Sequence, residues 1–91
     1  MRLDVFLKLS RLVPRRTQAQ EMCEAGAVKL NGSRAKSSRE VREGDVLSIR
    51  GRERVSTVRV VKVPAKAPSK REAASLYEPI SVEQDVISLI D

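Results

Sequence analysis

The stretch Leu12–Gly26, LVPRRTQAQEMCEAG, decides how this chain is read. Pro14 disfavours helical geometry at Val13, which separates any preceding helix from one that begins near Thr17. Thr17 and Gln20 have capping-box spacing, in which the hydroxyl takes one free backbone N–H and the Gln side chain reaches back to another. Ala19, Met22 and Cys23 then share a face, and Gly26 suits the left-handed conformation that ends a helix. Arg15 and Arg16 stand directly in front of that start. A helix N-terminus carries partial positive charge, so each cation there costs about 0.3–1 kcal/mol. A bound anion would reverse the sign, because it would meet open N–H groups and two guanidinium groups together. The stretch reads as a phosphate-binding corner.

Upstream, Leu3, Phe6 and Leu7 have the i, i+3, i+4 spacing of a short helix. Arg2 lies at its start, and Asp4 is placed to offset the helix dipole and to orient Arg2 or Arg16. Downstream the period changes to two: Val28 and Leu30 point one way and Lys29 the other, and Asn31-Gly32 suits a two-residue hairpin turn with Ser33 to Lys36 returning. Gly44-Asp45 is a second turn, before a strand Val46 to Arg50 with Leu47 and Ile49 inward. Gly51 to Arg54 turns again into a β-branched strand, Val55 to Val63, whose inward face Val60-Val61 leaves ambiguous. Arg50, Arg52 and Arg54 around that turn read as cations that keep a sheet edge soluble. PAKAP, residues 64–68, is a linker. Ser69 and Glu72 form a second capping box, opening a helix through Ala73, Leu76 and Tyr77 that Pro79 stops. Residues 80–91 are mildly acidic, with Val82, Val86, Leu89 and Ile90 at near-helical spacing; docking, partner binding and disorder all stay open for them. The expected fold class is α+β: two short helices on a small twisted antiparallel sheet, plus a C-terminal helical tail. The expected division is a domain over 1–63, the linker 64–68, a short helix over 69–79 and an acidic tail over 80–91.

The chain has 91 residues, with 18 Lys+Arg against 12 Asp+Glu, net +6. Fifteen of the basic and seven of the acidic residues lie in 1–63, so the partner-facing charge belongs to the first two-thirds. A basic domain of this size most often meets nucleic acid. No apolar run is long enough to span a membrane, and Asp4, Lys8 and Arg11 interrupt any signal-peptide core, so the expectation is a cytoplasmic protein without a membrane partner. Cys23 is the single cysteine and there is no histidine, which argues for a packed inert thiol and against a metal cluster. No nucleotide loop, metal-ligand spacing or nucleophile motif appears, so neither an enzyme nor a cofactor is expected. Asn31-Gly32-Ser33 matches a glycosylation sequon, but the turn accounts for those residues. The sole aromatic residues are Phe6, at a core position, and Tyr77 in the tail. That excludes base stacking as the main mode and favours recognition of folded RNA by shape and phosphates. Charge and placement nominate Arg2, Lys8, Arg11, Arg15, Arg16, Lys29, Arg34 and Lys36.

Residues 2–49 resemble the S4 RNA-binding domain family. The resemblance is carried by Arg2-Leu3-Asp4, Phe6-Leu7, Arg15-Arg16-Thr17, Ala19, Gly26, Val28, Leu30-Asn31-Gly32, Lys36, Ser38, Val41, Gly44-Asp45 and Ile49. It implies a helical pair on a small sheet whose RNA face is built from those helices and the Asn-Gly hairpin. Arg2, Arg15, Arg16, Thr17, Asn31 and Lys36 become the implied RNA contacts, and the full candidate set adds Asp4, Lys8, Arg11, Gln20, Arg34 and Ser38. The tail Lys70-Arg71-Glu72-Ala73-Ala74-Ser75-Leu76-Tyr77 resembles that of the family's bacterial ribosome-associated quality-control branch, itself similar to a small heat-shock branch. The resemblance implies a factor on the large ribosomal subunit, touching ribosomal RNA and peptidyl-tRNA while a partner factor tails the nascent chain; a monomer is expected. Two alternatives stay open: heat-shock or assembly work with the same RNA face, and a protein adaptor acting through the C-terminal tail.

Overall fold

The computed structural model describes residues 1–84. Helix α1 spans Leu3–Leu9 and buries Leu3, Phe6 and Leu7 on one face, as their spacing requires. Helix α2 spans Arg16–Glu24 and buries Ala19 and Cys23, with Met22 partly buried beside them. It ends in a Schellman motif: Gly26 adopts φ 78°, its N–H donates to Cys23 O (3.1 Å), and Ala27 N–H donates to Met22 O (2.8 Å).

Five antiparallel strands complete the sheet: β1 Val28–Leu30, β2 Ser33–Arg34, β3 Val46–Arg50, β4 Arg54–Val60 and β5 Tyr77–Gln84. Their spatial order is β2-β1-β3-β4-β5. The β1–β2 turn uses positive φ at both Asn31 (52°) and Gly32 (84°), the geometry of a two-residue hairpin. Val28, Leu30, Leu47, Ile49, Val58 and Val60 form the face that packs under the helices. Val60 is buried and Val61 is 46% exposed, which settles the inward face of β4 and ends that strand three residues before the expected Val63.

Two further expectations change. Ser69 and Glu72 do form their capping box, but the helix it opens, α3, covers Lys70–Ala73 and tightens into a 3₁₀ turn over Ala74–Leu76. It does not continue through Tyr77 to Pro79. Tyr77 pairs with Val60 and starts β5, so the chain runs on as an edge strand and not as a helical tail. Pro79 is tolerated because an edge strand can point its missing N–H away from the ladder. Ile80 is the extra residue of a bulge opposite Thr57/Val58. The near-helical spacing over 80–91 is thus overridden by pairing as far as Gln84, and the remainder of that stretch lies outside the described residues. Arg50, Arg52 and Arg54 flank the β3–β4 turn inside the strand order, so they do not guard an edge; the edges are β2 and β5.

Candidate nucleic-acid interface

Asp4 is the hinge of the site. Its side chain is fully buried beneath the start of α2, where it receives five hydrogen bonds. Oδ1 accepts from Arg2 Nε (3.1 Å) and from Val5 N–H (2.8 Å). Oδ2 accepts from Arg2 Nη2 (3.2 Å), Arg16 Nε (3.2 Å) and Gln20 Nε2 (2.8 Å). Burial alone would raise the pKa of this carboxyl; the bonds from Arg2, Gln20, Arg16 and the Val5 amide outweigh it and bring it down to about 2. Asp4 stays ionised at neutral pH. It therefore positions two arginines from below the surface and is not itself a surface contact, which corrects its place among the candidate contacts.

This geometry also corrects the reading of α2. Arg16, Gln20 and Cys23 lie at i, i+4 and i+7, one face of a helix, and that face looks towards Asp4. The expected Thr17–Gln20 capping box does not form: the helix starts at Arg16, which puts Thr17 inside it, the N-cap is Arg15 with no side-chain cap bond, and Gln20 bonds to Asp4. The cost expected for Arg16 at a helix start is offset internally by its pairing with Asp4. Its side chain is still 48% exposed, and that of Arg2 47%, which leaves both within reach of an anion. Arg15 is exposed beside them.

Helix α1 reaches the same corner with its own N-terminus closed. Leu3 N–H donates to Arg39 O (2.8 Å) and Asp4 N–H to Ser37 O (3.0 Å), which ties the 37–41 loop to the helix. That loop lays Lys36 and Ser38 beside Arg2 and Arg34 along a groove of about 630 Å³. Arg34 crosses its floor: Nη2 donates to Glu24 O at the C-terminal end of α2, where a cation is favoured. A Cβ on Gly26 would sit 3.3 Å from Arg34 Nε, so this glycine answers both a left-handed φ and a close approach. Cys23 also borders the groove, and burial, then the charge of Asp4, pushes its thiol pKa up. The inert-thiol reading agrees with that. Thr17 and Gln20 flank an adjoining depression with Ser37.

Three candidates fall elsewhere. Asn31 holds the hairpin to β3, its Nδ2 donating to Asp45 Oδ1 (3.1 Å) and its Oδ1 accepting from Val46 N–H (2.9 Å). Its amide is a strut of the fold first. Lys8 and Arg11 border a different cleft, with Pro14, Ala67 and Pro68. Sequence reasoning missed the role of the loop carbonyls of Ser37 and Arg39, which no residue type signals.

A two-helix corner on one face of an antiparallel sheet, with arginines braced by a buried carboxylate, defines a small basic binding module. The S4 domain model matches residues 1–47. The RQC P-site tRNA stabilizing factor of Halalkalibacterium halodurans is 49% identical over 78 residues, covering 86% of this chain and 88% of that protein. Its namesake from Bacillus subtilis is 42% identical over 84 residues, covering 92% and 96%. Among solved structures, the trimeric Heat Shock Protein 15 of Vibrio cholerae superposes with a TM-score of 0.81 at 33% identity, over 89% of this chain and 82% of that one. The chain belongs to the S4-domain family and is similar over most of its length to proteins named RQC P-site tRNA stabilizing factors. Among the described residues no helix is long and apolar enough to cross a membrane.

Proposed function

We propose that this protein is a non-catalytic RNA-binding factor of ribosome-associated quality control. It holds large-subunit ribosomal RNA and peptidyl-tRNA on stalled subunits, acts in the cytoplasm as a monomer, and supports C-terminal tailing of the nascent chain by a partner factor. One observation carries the reading. A buried, ionised Asp4 fixes Arg2 and Arg16 from beneath, so two half-exposed arginine side chains meet the uncapped start of α2 and exposed Arg15. Fixed donors of this kind recognise phosphate at a low ordering cost. The sequence likeness to the stabilizing factors supplies the biological setting. The RNA contacts we assign are Arg2, Arg15, Arg16, Thr17, Arg34, Lys36 and Ser38, with Asp4 and Gln20 as positioning residues. The RNA-binding unit is assigned to residues 1–63.

The test replaces residues that the fold does not need. Arg15→Glu with Lys36→Glu should lower affinity for peptidyl-tRNA-bearing large subunits more than tenfold in cosedimentation, with a melting temperature that does not fall, since an anion is favoured at a helix start. Undiminished binding would refute the assignment of the corner. Equal binding to empty or immature subunits would favour heat-shock or assembly work by the same face.

A further inference from the structure

A second basic surface lies at the other end of α1, away from the arginine corner. Lys8 and Arg11 border a cleft of about 460 Å³ whose other walls include Pro14 and the linker residues Ala67 and Pro68. On the far side of the same Ala67–Pro68 ridge, Lys62 and Lys66 border a second depression with Pro64. Four cations thus border two depressions that share the Ala67–Pro68 ridge. Among the described residues the one carboxylate on the walls of either depression is Glu72, whose Oε1 already accepts the Ser69 N–H (3.0 Å) in the capping box. Among the described residues no acidic side chain lines the first cleft.

Arg11 adds an independent sign. It terminates α1 at φ 62°, donating its N–H to Lys8 O (3.0 Å), in the left-handed position where Gly26 ends α2. A glycine would take that backbone at no steric cost, whereas an L side chain is disfavoured there. Arginine at this position carries a backbone cost that glycine would not, and its side chain borders the cleft.

Resting on the reading of the corner as an RNA site, we infer that the Lys8–Arg11–Lys62–Lys66 surface around the Ala67–Pro68 ridge is a second binding site for an RNA phosphodiester backbone. The occupant is argued from chemistry. The walls are mostly proline, alanine and charged stems; of the two leucines that line them, Leu76 is buried and Leu9 half-buried, so little apolar surface is offered to anchor a protein partner. No aromatic ring is present on which a base could stack. Spread cations on both sides of a ridge suit a chain of phosphates passing over it. The linker, which the sequence presents as a plain spacer, then becomes part of the binding surface, and the two ends of α1 hold two separate RNA segments.

The test uses the full chain and purified large ribosomal subunits bearing peptidyl-tRNA, titrated at several KCl concentrations. Arg11→Gly with Lys66→Gln should make the log–log salt slope shallower by about 1.4–1.8, two phosphate contacts' worth. The melting temperature should stay level or rise, since glycine relieves the backbone at residue 11. A p-azidophenylalanine in place of Ala67 should form adducts with RNA on illumination. An unchanged slope, in a protein whose Arg15→Glu with Lys36→Glu variant does lose binding, overturns the second site and leaves the corner standing. Adducts with protein at position 67 also overturn it, in favour of an acidic peptide. If neither double variant changes the slope, both readings fall.

Discussion

Helices α2 and α3 carry the same sequence device near their starts and end up with opposite N-termini. Each has a hydroxyl residue followed three positions later by a Glu or Gln. In α3 the box closes: Ser69 Oγ accepts Glu72 N–H at 3.2 Å and Glu72 Oε1 accepts Ser69 N–H at 3.0 Å. Those bonds also hold the Glu72 carboxyl below its usual pKa. In α2 the box stays open because the helix begins at Arg16, ahead of Thr17, and Gln20 bonds to a buried carboxylate sixteen residues away. A charge-assisted bond outweighs a neutral cap. The difference separates a helix start that serves the fold from one left free to meet a ligand.

The largest way to break this contrast is to remove the competing carboxylate. Asp4→Ala should destabilise the protein by roughly 2–3 kcal/mol, below the 3–5 kcal/mol of a wholly buried pair because both arginine heads are half exposed and regain water. Urea denaturation should show a lower midpoint at unchanged slope. RNA affinity should fall with it, since Arg2 and Arg16 lose their brace. A loss under about 0.5 kcal/mol, the range of an ordinary surface substitution, would show that the brace is not what holds α1 against α2.

Acid reaches the same carboxylate without mutation. The folded-state pKa of Asp4, about 2, lies below its ordinary 3.8, so the unfolded chain binds the proton more readily. The stabilisation is complete above about pH 5 and disappears as pH falls from 3.8 through 2. The shift corresponds to about 2 kcal/mol. Thermal melts from mildly acidic to strongly acidic buffer should show that decline, and Asp4→Asn should flatten it. An equally steep decline in Asp4→Asn would assign the acid sensitivity to other carboxylates.

Most of the fold was legible because its signals are local. Asn31-Gly32 turns where a hairpin must, Gly26 ends α2, and Leu47 and Ile49 alternate inward as their period demands. The arginine corner was legible too, and so was the tie from Asp4 to Arg2 and Arg16. The features that stayed hidden depend on partners far along the chain. Tyr77–Gln84 carries a proline and two glutamates, and only the exposed ladder of β4 makes it a strand. The Thr17–Gln20 box satisfies every local rule, and no local rule contains Asp4. The same limit applies to Lys8 and Arg11. Sequence placed them in one set with Arg15, whereas α1 sends them to its opposite end beside Ala67 and Pro68.

The finest comparison gives α2 the cap it lacks. Arg15 has φ −134° and ψ 144°, the extended geometry of an N-cap, so Arg15→Ser fits without rearrangement. A serine there should stabilise the protein by about 1 kcal/mol, by accepting a leading N–H and by removing a cation from the positive end of the helix. If that end is kept open for phosphate, the more stable variant must bind large subunits less well, because a guanidinium is gone and an N–H is occupied. Denaturation and cosedimentation on one preparation read both quantities. Gain in stability with full affinity would mean that α2 was merely left uncapped; gain with loss means that the missing cap is where the ligand sits.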